Sequence, residues 1–414
     1  MTAAGLAPQS LAGTRRPSAP WPVTACTLVT ALGRGRAATF AALAAGASGL
    51  VKRGFETAAL DTWLGVIDEL DTAPLPAEQA AFDCRNNRLA WLALHTDGYA
   101  AAVRAAAARF GAHRVGVFLG TSTSGILATE LAYRERDAAS GALPVWLDYA
   151  RTHNTYSVAR FVRSVLGLTG PAQVVSTACS SSAKVFGTAA RMLQAGLVDA
   201  AVVGGVDTLC LTTLYGFRAL ELTSPEICKP WDAARDGLSL GEGAAFALLE
   251  RAPAGDGEVL AHLLACGESS DGHHMSAPHP EGAGAAAAMR QALTAAGVAP
   301  GEVDYLNLHG TATPNNDAAE DLAVTSVFGA GITCSSTKGT TGHTLGAAGG
   351  VEAAICMLAM QHGLLPPTLN LHRRDPALQL QVLTEPRRAR VRIAASNSFG
   401  FGGSNTCLIF GEAR

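Results

Sequence analysis

Residues 173–196 read QVVSTACSSSAKVFGTAARMLQAG, a pattern typical of a strand, a tight turn and a helix in succession. Two valines end a short apolar strand, and the Ser and Thr residues that follow allow a sharp turn and cap a helix predicted over 181–195. Cys179 stands at the turn. Helix N-terminal amides favour negative charge there, so we expect its thiol to ionise more easily than a free thiol. The alternative is a cysteine that only packs in the core.

Strand-like apolar runs alternate with alanine-rich helical stretches along the whole chain, which is typical of an α/β protein. The predicted strands are Val115–Leu119, Gln173–Val175, Ala200–Val203, Ala244–Glu250, Tyr305–Leu308 and Ile393–Ser396. The predicted helices are 35–46, 86–109, 181–195, 284–296, 317–328 and 347–361. A Gly/Pro-rich stretch, 251–258, interrupts the pattern and indicates a connection between two α/β halves.

Composition narrows the class of protein. The 414 residues are 48% hydrophobic and 16% charged, so the chain can bury a large core. A net charge of -3, without zinc-finger spacing or a long Lys/Arg run, argues against nucleic-acid binding. Nine scattered cysteines without a CxxC pair indicate reduced thiols and a cytoplasmic protein. We predict no membrane span, and residues 1–22 are expected to form a loose leader rather than a signal peptide.

Three further segments carry polar side chains beside strand ends or glycine-rich turns. They are 304–317 (DYLNLHGTATPNND), 335–349 (SSTKGTTGHTLGAAG) and 396–405 (SNSFGFGGSN). His309 follows an apolar strand, and Thr311 and Thr313 can hydrogen-bond a polar substrate arm. Lys338 and His343 flank a turn that opens a helix, but Lys338 precedes the glycine, so the order of a phosphate-binding loop is absent. Taken singly, each segment can also be read as capping residues, a solvated lysine and satisfied histidines.

The four motifs together resemble one family. TACSS, HGTATPNND, STKGTTGHTLGAAG and NSFGFGGSN occur in the order, and at the approximate separations, of β-ketoacyl-acyl carrier protein synthases, and KPWDAARDGLSLGEGAA (229–245) resembles a further family segment. The resemblance runs from about residue 23 to 411. It implies the thiolase fold, in which two similar α/β halves, here 23–250 and 259–414, form a layered α-β-α-β-α core, normally as a dimer.

The resemblance also implies roles for particular residues. Cys179 matches the acyl-accepting cysteine, and His309 and His343 match the histidine pair of a Cys-His-His site. Lys338 matches the active-site lysine, and Glu320 matches the glutamate expected to pair with it.

Binding roles follow in the same way. Thr311 and Thr313 match residues that contact the pantetheine arm. Phe401 matches a gating phenylalanine whose backbone amide joins that of Cys179 in an oxyanion hole. Arg218 matches a position used for docking carrier protein. Arg85 and Arg88 are further docking candidates, and a plain solvated arginine is the alternative for each.

The implied activity is that of an acyltransferase. An acyl group moves from acyl carrier protein to Cys179, malonyl-carrier protein loses CO₂, and the resulting enolate attacks the acyl thioester. No metal or redox cofactor is implied, because the substrates arrive on the phosphopantetheine arm of the carrier protein. Departures such as Trp231 for the usual phenylalanine, and TSTSG at 121–125, indicate a divergent branch. The Asn-Asn pair in HGTATPNND and the STSG turn resemble ketosynthases of aryl polyene pathways. In such systems the partner is a second copy or a related subunit.

Two other functions stay open. The first is a non-catalytic chain-length-factor-like subunit, which characteristically lacks the cysteine. The second is a zinc hydrolase using His273, His274 and His279, although a Pro-rich loop is a poor frame for a metal.

Overall fold

The computed structural model describes residues 20–255 and 257–413. Its strands are β1 (Trp21–Thr30), β2 (Gly33–Arg34), β3 (Val51–Lys52), β4 (Trp63–Gly65), β5 (Val115–Gly120), β6 (Ala172–Val175), β7 (Ala200–Asp207), β8 (Leu240–Gly241), β9 (Gly243–Glu250), β10 (Ala261–Ser270), β11 (Tyr305–Asn307), β12 (Cys334–Ser335), β13 (Leu364–Leu365), β14 (Arg387–Arg388), β15 (Ile393–Gly400) and β16 (Ser404–Gly411). Its α-helices are α1 (Gly35–Ala44), α2 (Glu69–Thr72), α3 (Arg85–Leu94), α4 (Tyr99–Phe110), α5 (Ile126–Arg134), α6 (Ser157–Leu166), α7 (Ser181–Gln194), α8 (Leu211–Ala219), α9 (Ala283–Ala296), α10 (Pro314–Phe328), α11 (Lys338–Thr341) and α12 (Ala348–His362). Within these ranges, no helix combines the length and the apolarity that crossing a bilayer requires.

One large mixed sheet organises the molecule. Its strand order is β12-β11-β15-β16-β10-β1-β9-β7-β5-β6. The two halves mirror each other, because β5 lies parallel to β6 and β7 while β11 lies parallel to β12 and β15. They meet where β1 pairs antiparallel with β10. The division predicted at 251–258 falls in the connection between β9 and β10.

Two helices form the central layer. α7 and α12 contact each other, and between them they pack on strands of both halves. On the outside, α3, α4 and α6 cover one half, while α9 covers the other with α10 beside it. This is the α/β class and the layered α-β-α-β-α arrangement that the motifs predict, and it is confirmed.

Small side chains allow the central layer to form. A Cβ on Gly349 of α12 would lie 2.6 Å from the Cβ of Ala183 on α7, so the two helices approach too closely for larger residues. In α12, 13 of the 15 residues are buried, which explains a sequence that is apolar on all faces.

The predicted elements need three changes. The helix predicted over 86–109 is two helices, α3 and α4, because Asp97 and Gly98 both adopt positive φ between them (54° and 70°). The helix predicted from 317 begins earlier, with Pro314 in its first turn. Residues 1–19 of the predicted leader lie outside the described residues, while Trp21 and Pro22 already belong to β1.

Candidate active site

Cys179 lies at the turn between β6 and α7, where the sequence places it. The preceding residue, Ala178, adopts φ 52°, a conformation that non-glycine residues rarely take. Ser181 stabilises this turn, since its hydroxyl donates to the Ala178 carbonyl (2.6 Å) and accepts from the Thr177 amide (2.9 Å). Cys179 is only 5% exposed, so its sulfur lies at the floor of a pocket.

Two histidines from the other half of the sheet face this sulfur. His343 Nε2 lies 2.9 Å from Cys179 Sγ. The rings of His309 and His343 are nearly perpendicular, with centroids 5.4 Å apart. One ligand atom from each of the three side chains lies within 4.8 Å of the other two. The fold therefore brings the predicted Cys-His-His group together from three distant segments.

Glu320 fixes the turn that carries His309. Its carboxylate accepts the backbone amides of His309 (2.8 Å) and Gly310 (2.7 Å), and the Asn397 side-chain amide (3.2 Å). Burial raises the pKa of Glu320 to about 7, and these three donors oppose the rise. Glu320 is thus a structural support for the loop.

The predicted Lys338–Glu320 pair is wrong. Lys338 forms its ion pair with Glu352 on α12, because Glu320 is already occupied by the backbone of the His309 turn. Both partners are almost fully buried, and burial raises the pKa of Glu352 to about 7 while Lys338 lowers it. Lys338 Nζ also lies 3.4 Å from His309 Nδ1. An ammonium can only donate, so Nδ1 accepts and the proton of the His309 ring sits on Nε2.

The ionisation expected for Cys179 also needs correction. Burial raises the pKa of Cys179 to about 12, against the opposing effects of the Lys338 charge and the backbone amides of Phe401 and Cys179. Burial is also the main cause that holds the pKa values of His309 and His343 well below the usual value, with the Lys338 charge as a second cause. At neutral pH the group is therefore a thiol beside two neutral imidazoles, and His343 is positioned to accept the thiol proton.

The predicted binding residues line the same pocket. Thr311 and Thr313 lie in its wall with their hydroxyl oxygens 2.8 Å apart. Phe401 also lines the pocket, and its ring packs on that of Phe217 with centroids 5.5 Å apart. Burial raises the pKa of Cys179, and the backbone amide of Phe401 is one of the groups that oppose the rise. These positions fit a polar arm entering from solvent and an aromatic side chain beside its path.

Only one of the three docking candidates is suitably placed. Arg218 is exposed on α8, next to the pocket-lining Phe217. Arg85 is 8% exposed and paired with Glu242 and Asp71, so it cannot meet a partner protein. Arg88 is half-buried and makes two bonds to the carboxylate of Asp83. Both side chains are engaged inside the fold, which leaves Arg218 as the docking candidate beside the pocket.

The zinc-hydrolase alternative lacks a site. His274 and His279 accept backbone amides within their own loop, from Ser276 (3.2 Å) and Glu281 (3.3 Å). Over residues 20–255 and 257–413, the one group of three side chains spaced as metal ligands is Cys179, His309 and His343. His273 thus has no pair of partners with which to hold a metal ion.

Family models match most of the described chain. The model of the β-ketoacyl synthase N-terminal domain matches residues 84–254, and that of the C-terminal domain matches residues 260–372.

Individual proteins agree with these matches. The chain is 39% identical to nodulation protein E of Rhizobium meliloti over 305 residues, which cover 72% of this chain and 75% of that protein. It is 42% identical to the mitochondrial 3-oxoacyl-[acyl-carrier-protein] synthase of Arabidopsis thaliana over 262 residues, which cover 59% of this chain and 57% of that protein. Among solved structures, the ketosynthase ApeO in complex with its chain length factor ApeC, from Xenorhabdus doucetiae, superposes with a TM-score of 0.86 at 37% identity, covering 95% of this chain and 98% of that chain.

Proposed function

The chain belongs to the β-ketoacyl synthase family, and from this we propose that it condenses malonyl-carrier protein with an acyl group held on Cys179, with loss of CO₂. The observation that carries the proposal is the 2.9 Å contact between His343 Nε2 and Cys179 Sγ, beside a second neutral imidazole in one pocket. A nucleophile and two donors are thereby available around one reacting carbon.

In the first half-reaction, the Cys179 sulfur attacks the thioester of an acyl-carrier protein. Because burial raises the pKa of Cys179 to about 12, the proton must leave as the bond forms, and His343 Nε2 is the nearest acceptor. The carbon–sulfur bond to the pantetheine arm then breaks, and the departing thiolate takes the proton back from His343. The acyl group is left as a thioester on Cys179.

In the second half-reaction, malonyl-carrier protein enters along Thr311 and Thr313. The bond to the carboxylate breaks, CO₂ leaves, and the electron pair forms an enolate on the thioester. Neutral His309 carries its proton on Nε2, so it can donate to the enolate oxygen. Once Cys179 is acylated, His343 Nε2 has no thiol proton to accept, and the tautomer of His343 that carries its proton on Nε2 can donate beside His309. The bond that breaks supplies the electrons for the new carbon–carbon bond, so the proposed reaction needs neither a metal nor a redox cofactor.

The enolate carbon then attacks the acyl carbonyl on Cys179. The negative oxygen of the tetrahedral intermediate can be held by the amides of Cys179 and Phe401, which both lie beside the sulfur. Collapse of the intermediate releases the Cys179 thiolate, which takes up a proton from solvent, and gives a β-ketoacyl product longer by two carbons.

The second candidate, a chain-length-factor-like subunit without activity, is less well supported. Such a subunit needs no nucleophile, whereas here Cys179, His309 and His343 are all present and in contact range.

We also propose an acyl carrier protein as substrate carrier and a dimer as the working form. β6 is the last strand of the sheet. Exposed aromatic side chains in and after α5 include Tyr133, Trp146 and Tyr149, at 59%, 48% and 56% exposure. A strand edge without a neighbouring strand and exposed aromatic side chains each favour association with a second ketosynthase-like subunit. The partner can be a second copy or a chain-length factor, as for the aryl polyene-type pathway that we propose. A monomeric mass in solution, with and without the co-expressed partner, would contradict the dimer.

The cytoplasm is the proposed compartment. All nine cysteines are free, and most are buried, which fits a reducing environment.

The direct test of function is mass spectrometry after incubation with acyl-carrier protein. One acyl mass should appear on Cys179 and be absent in Cys179→Ala. Cys228→Ala is the matched control, because Cys228 is equally buried but donates to the Lys338 carbonyl instead of facing the histidines. Adding malonyl-carrier protein should then release CO₂ and the extended product. An adduct that survives Cys179→Ala would overturn the mechanism.

A further inference from the structure

A buried carboxylate outside the proposed reaction joins the two parts of the site. Asp207 is the last residue of β7 and is 0% exposed. β7 runs parallel to β5, and β5 runs parallel to β6, so the three strands end at the same edge of the sheet. The turn that follows β5 and the turn that carries Cys179 therefore lie beside Asp207.

On one side, Asp207 holds the turn after β5. Its carboxylate accepts the hydroxyls of Thr121 (2.6 Å) and Thr123 (2.7 Å), and the amides of Ser122 (2.9 Å) and Thr123 (2.8 Å). Ser122 extends this contact, because its hydroxyl donates to the carbonyl of Ala178 at 3.3 Å. Ala178 is the strained residue directly before Cys179.

On the other side, Asp207 holds the segment that follows His343. Its second carboxylate oxygen accepts the amide of Gly346 at 2.6 Å. A Cβ on Gly346 would lie 2.6 Å from Ser122 Oγ and 2.7 Å from Asp207 Oδ2, so only glycine allows this approach. Leu345, with φ 53°, bends the chain between His343 and Gly346.

We infer that Asp207 is a positioning residue that sets the distance between Cys179 and His343 by bonding the turns on which they depend. Every group that faces the carboxylate is a donor, so its two oxygens serve both turns at once. This inference deepens the proposed function, since it concerns the same site, but it predicts a property of the thiol that can be measured without carrier protein.

The test is Asp207→Asn, in which one oxygen becomes a donor and meets an amide that is also a donor. The pH profile of Cys179 alkylation by iodoacetamide should move to higher pH, so that Cys179 reacts more slowly than in wild type at each pH at which the protein is folded, because the sulfur loses its proton acceptor. In the condensation assay, kcat should fall about 10²-fold, the loss expected from a misplacement of about 1 Å, while KM for malonyl-carrier protein stays within about twofold.

Asp321→Asn is the matched control. Asp321 is also buried and accepts two backbone amides, from Gln379 and Leu380 (both 2.9 Å), but it does not line the pocket. Its variant should lose stability without a change in the alkylation profile. Profiles and kcat values that are the same in Asp207→Asn and Asp321→Asn would overturn the inference.

Ser122→Ala tests the same positioning role if Asp207→Asn does not fold. It removes only the hydroxyl bond to Ala178, and it should shift the alkylation profile upward by a smaller amount. An unchanged profile in Ser122→Ala, in the absence of a folded Asp207→Asn, counts against positioning through this turn. If the wild-type protein forms no condensation product and the alkylation shift is still present, the positioning role stands and the proposed function fails.

Discussion

His309 and His343 differ in what they touch, and the difference predicts different kinetic roles. His343 contacts the Cys179 sulfur, whereas His309 contacts Lys338 through Nδ1 and leaves Nε2–H for the substrate. His309→Ala should lower malonyl decarboxylation by about 10²–10³, the usual cost of losing one oxyanion donor. It should leave acyl transfer to Cys179 within about tenfold, whereas His343→Ala should impair both steps. CO₂ release and the acyl-adduct rate measure the two separately.

His362→Ala serves as the control for this pair. His362 ends α12 and stacks on Phe40 outside the pocket, so neither step should change. Equal losses in both half-reactions for His309→Ala would remove the proposed division between the two histidines.

Site residues that lie in a recognisable motif could be predicted from the sequence, whereas a site residue outside any motif could not. Cys179, His309 and His343 each lie in a recognisable motif, and the fold brings them together as predicted. Glu352, the partner of Lys338, has no motif of its own. Its one signal was a lone carboxylate in the apolar run AGGVEAAICMLAM, where an unpaired charge is too costly to bury. Its partner could not be named, because ion pairing depends on how α12 packs in the folded protein.

At the scale of elements, α8 joins the pocket to the surface. Phe217 lines the pocket and the adjacent Arg218 is exposed to solvent. Carrier protein is acidic, so Arg218→Glu should raise KM for acyl-carrier protein about threefold to tenfold and weaken its salt dependence, with kcat nearly unchanged. Steady-state kinetics at several salt concentrations measure both effects.

Arg104→Glu is the matched control for charge reversal. Arg104 is exposed on α4 and does not line the pocket, so its variant should behave as wild type. A KM for Arg218→Glu that equals the Arg104→Glu value would show that α8 does not take part in docking.

Element boundaries were predicted less well than element order. The run 86–109 has helical composition throughout, but Asp97 and Gly98 end one helix and start another by adopting positive φ. Asp97 also accepts the Thr27 hydroxyl at 3.0 Å and the Arg36 amide at 3.0 Å. An Asp-Gly pair is a turn signal in the sequence. The long-range bonds that hold this turn are properties of the tertiary structure alone.

At the scale of the whole molecule, the site exists because two similar halves end their strands at one place. Cys179 follows β6 of the first half, and His309 follows β11 of the second. Neither half alone holds the three reacting side chains, and Asp207 on the first half bonds Gly346 on the second. Folding of both halves is therefore coupled to assembly of the site.

The buried histidines at this junction make the free energy of unfolding depend on pH. Burial and the Lys338 charge hold the pKa of His309 well below its usual value. Near pH 6.5 the His309 side chain therefore binds a proton in the unfolded chain but not in the folded protein. This group therefore destabilises the protein as pH falls through about 6.5.

His309→Asn removes this destabilisation and keeps an acceptor for Lys338. From about pH 7.5 to about pH 5.5, the free energy of unfolding of the wild type should fall relative to the variant by about 1.4 kcal/mol. Urea denaturation across this range measures the difference. In Tyr305→Phe, whose tyrosine pKa is raised well above 10, the difference from wild type should stay constant. A constant difference in His309→Asn as well would mean that His309 binds its proton equally well in the folded and unfolded chain, and would overturn the prediction.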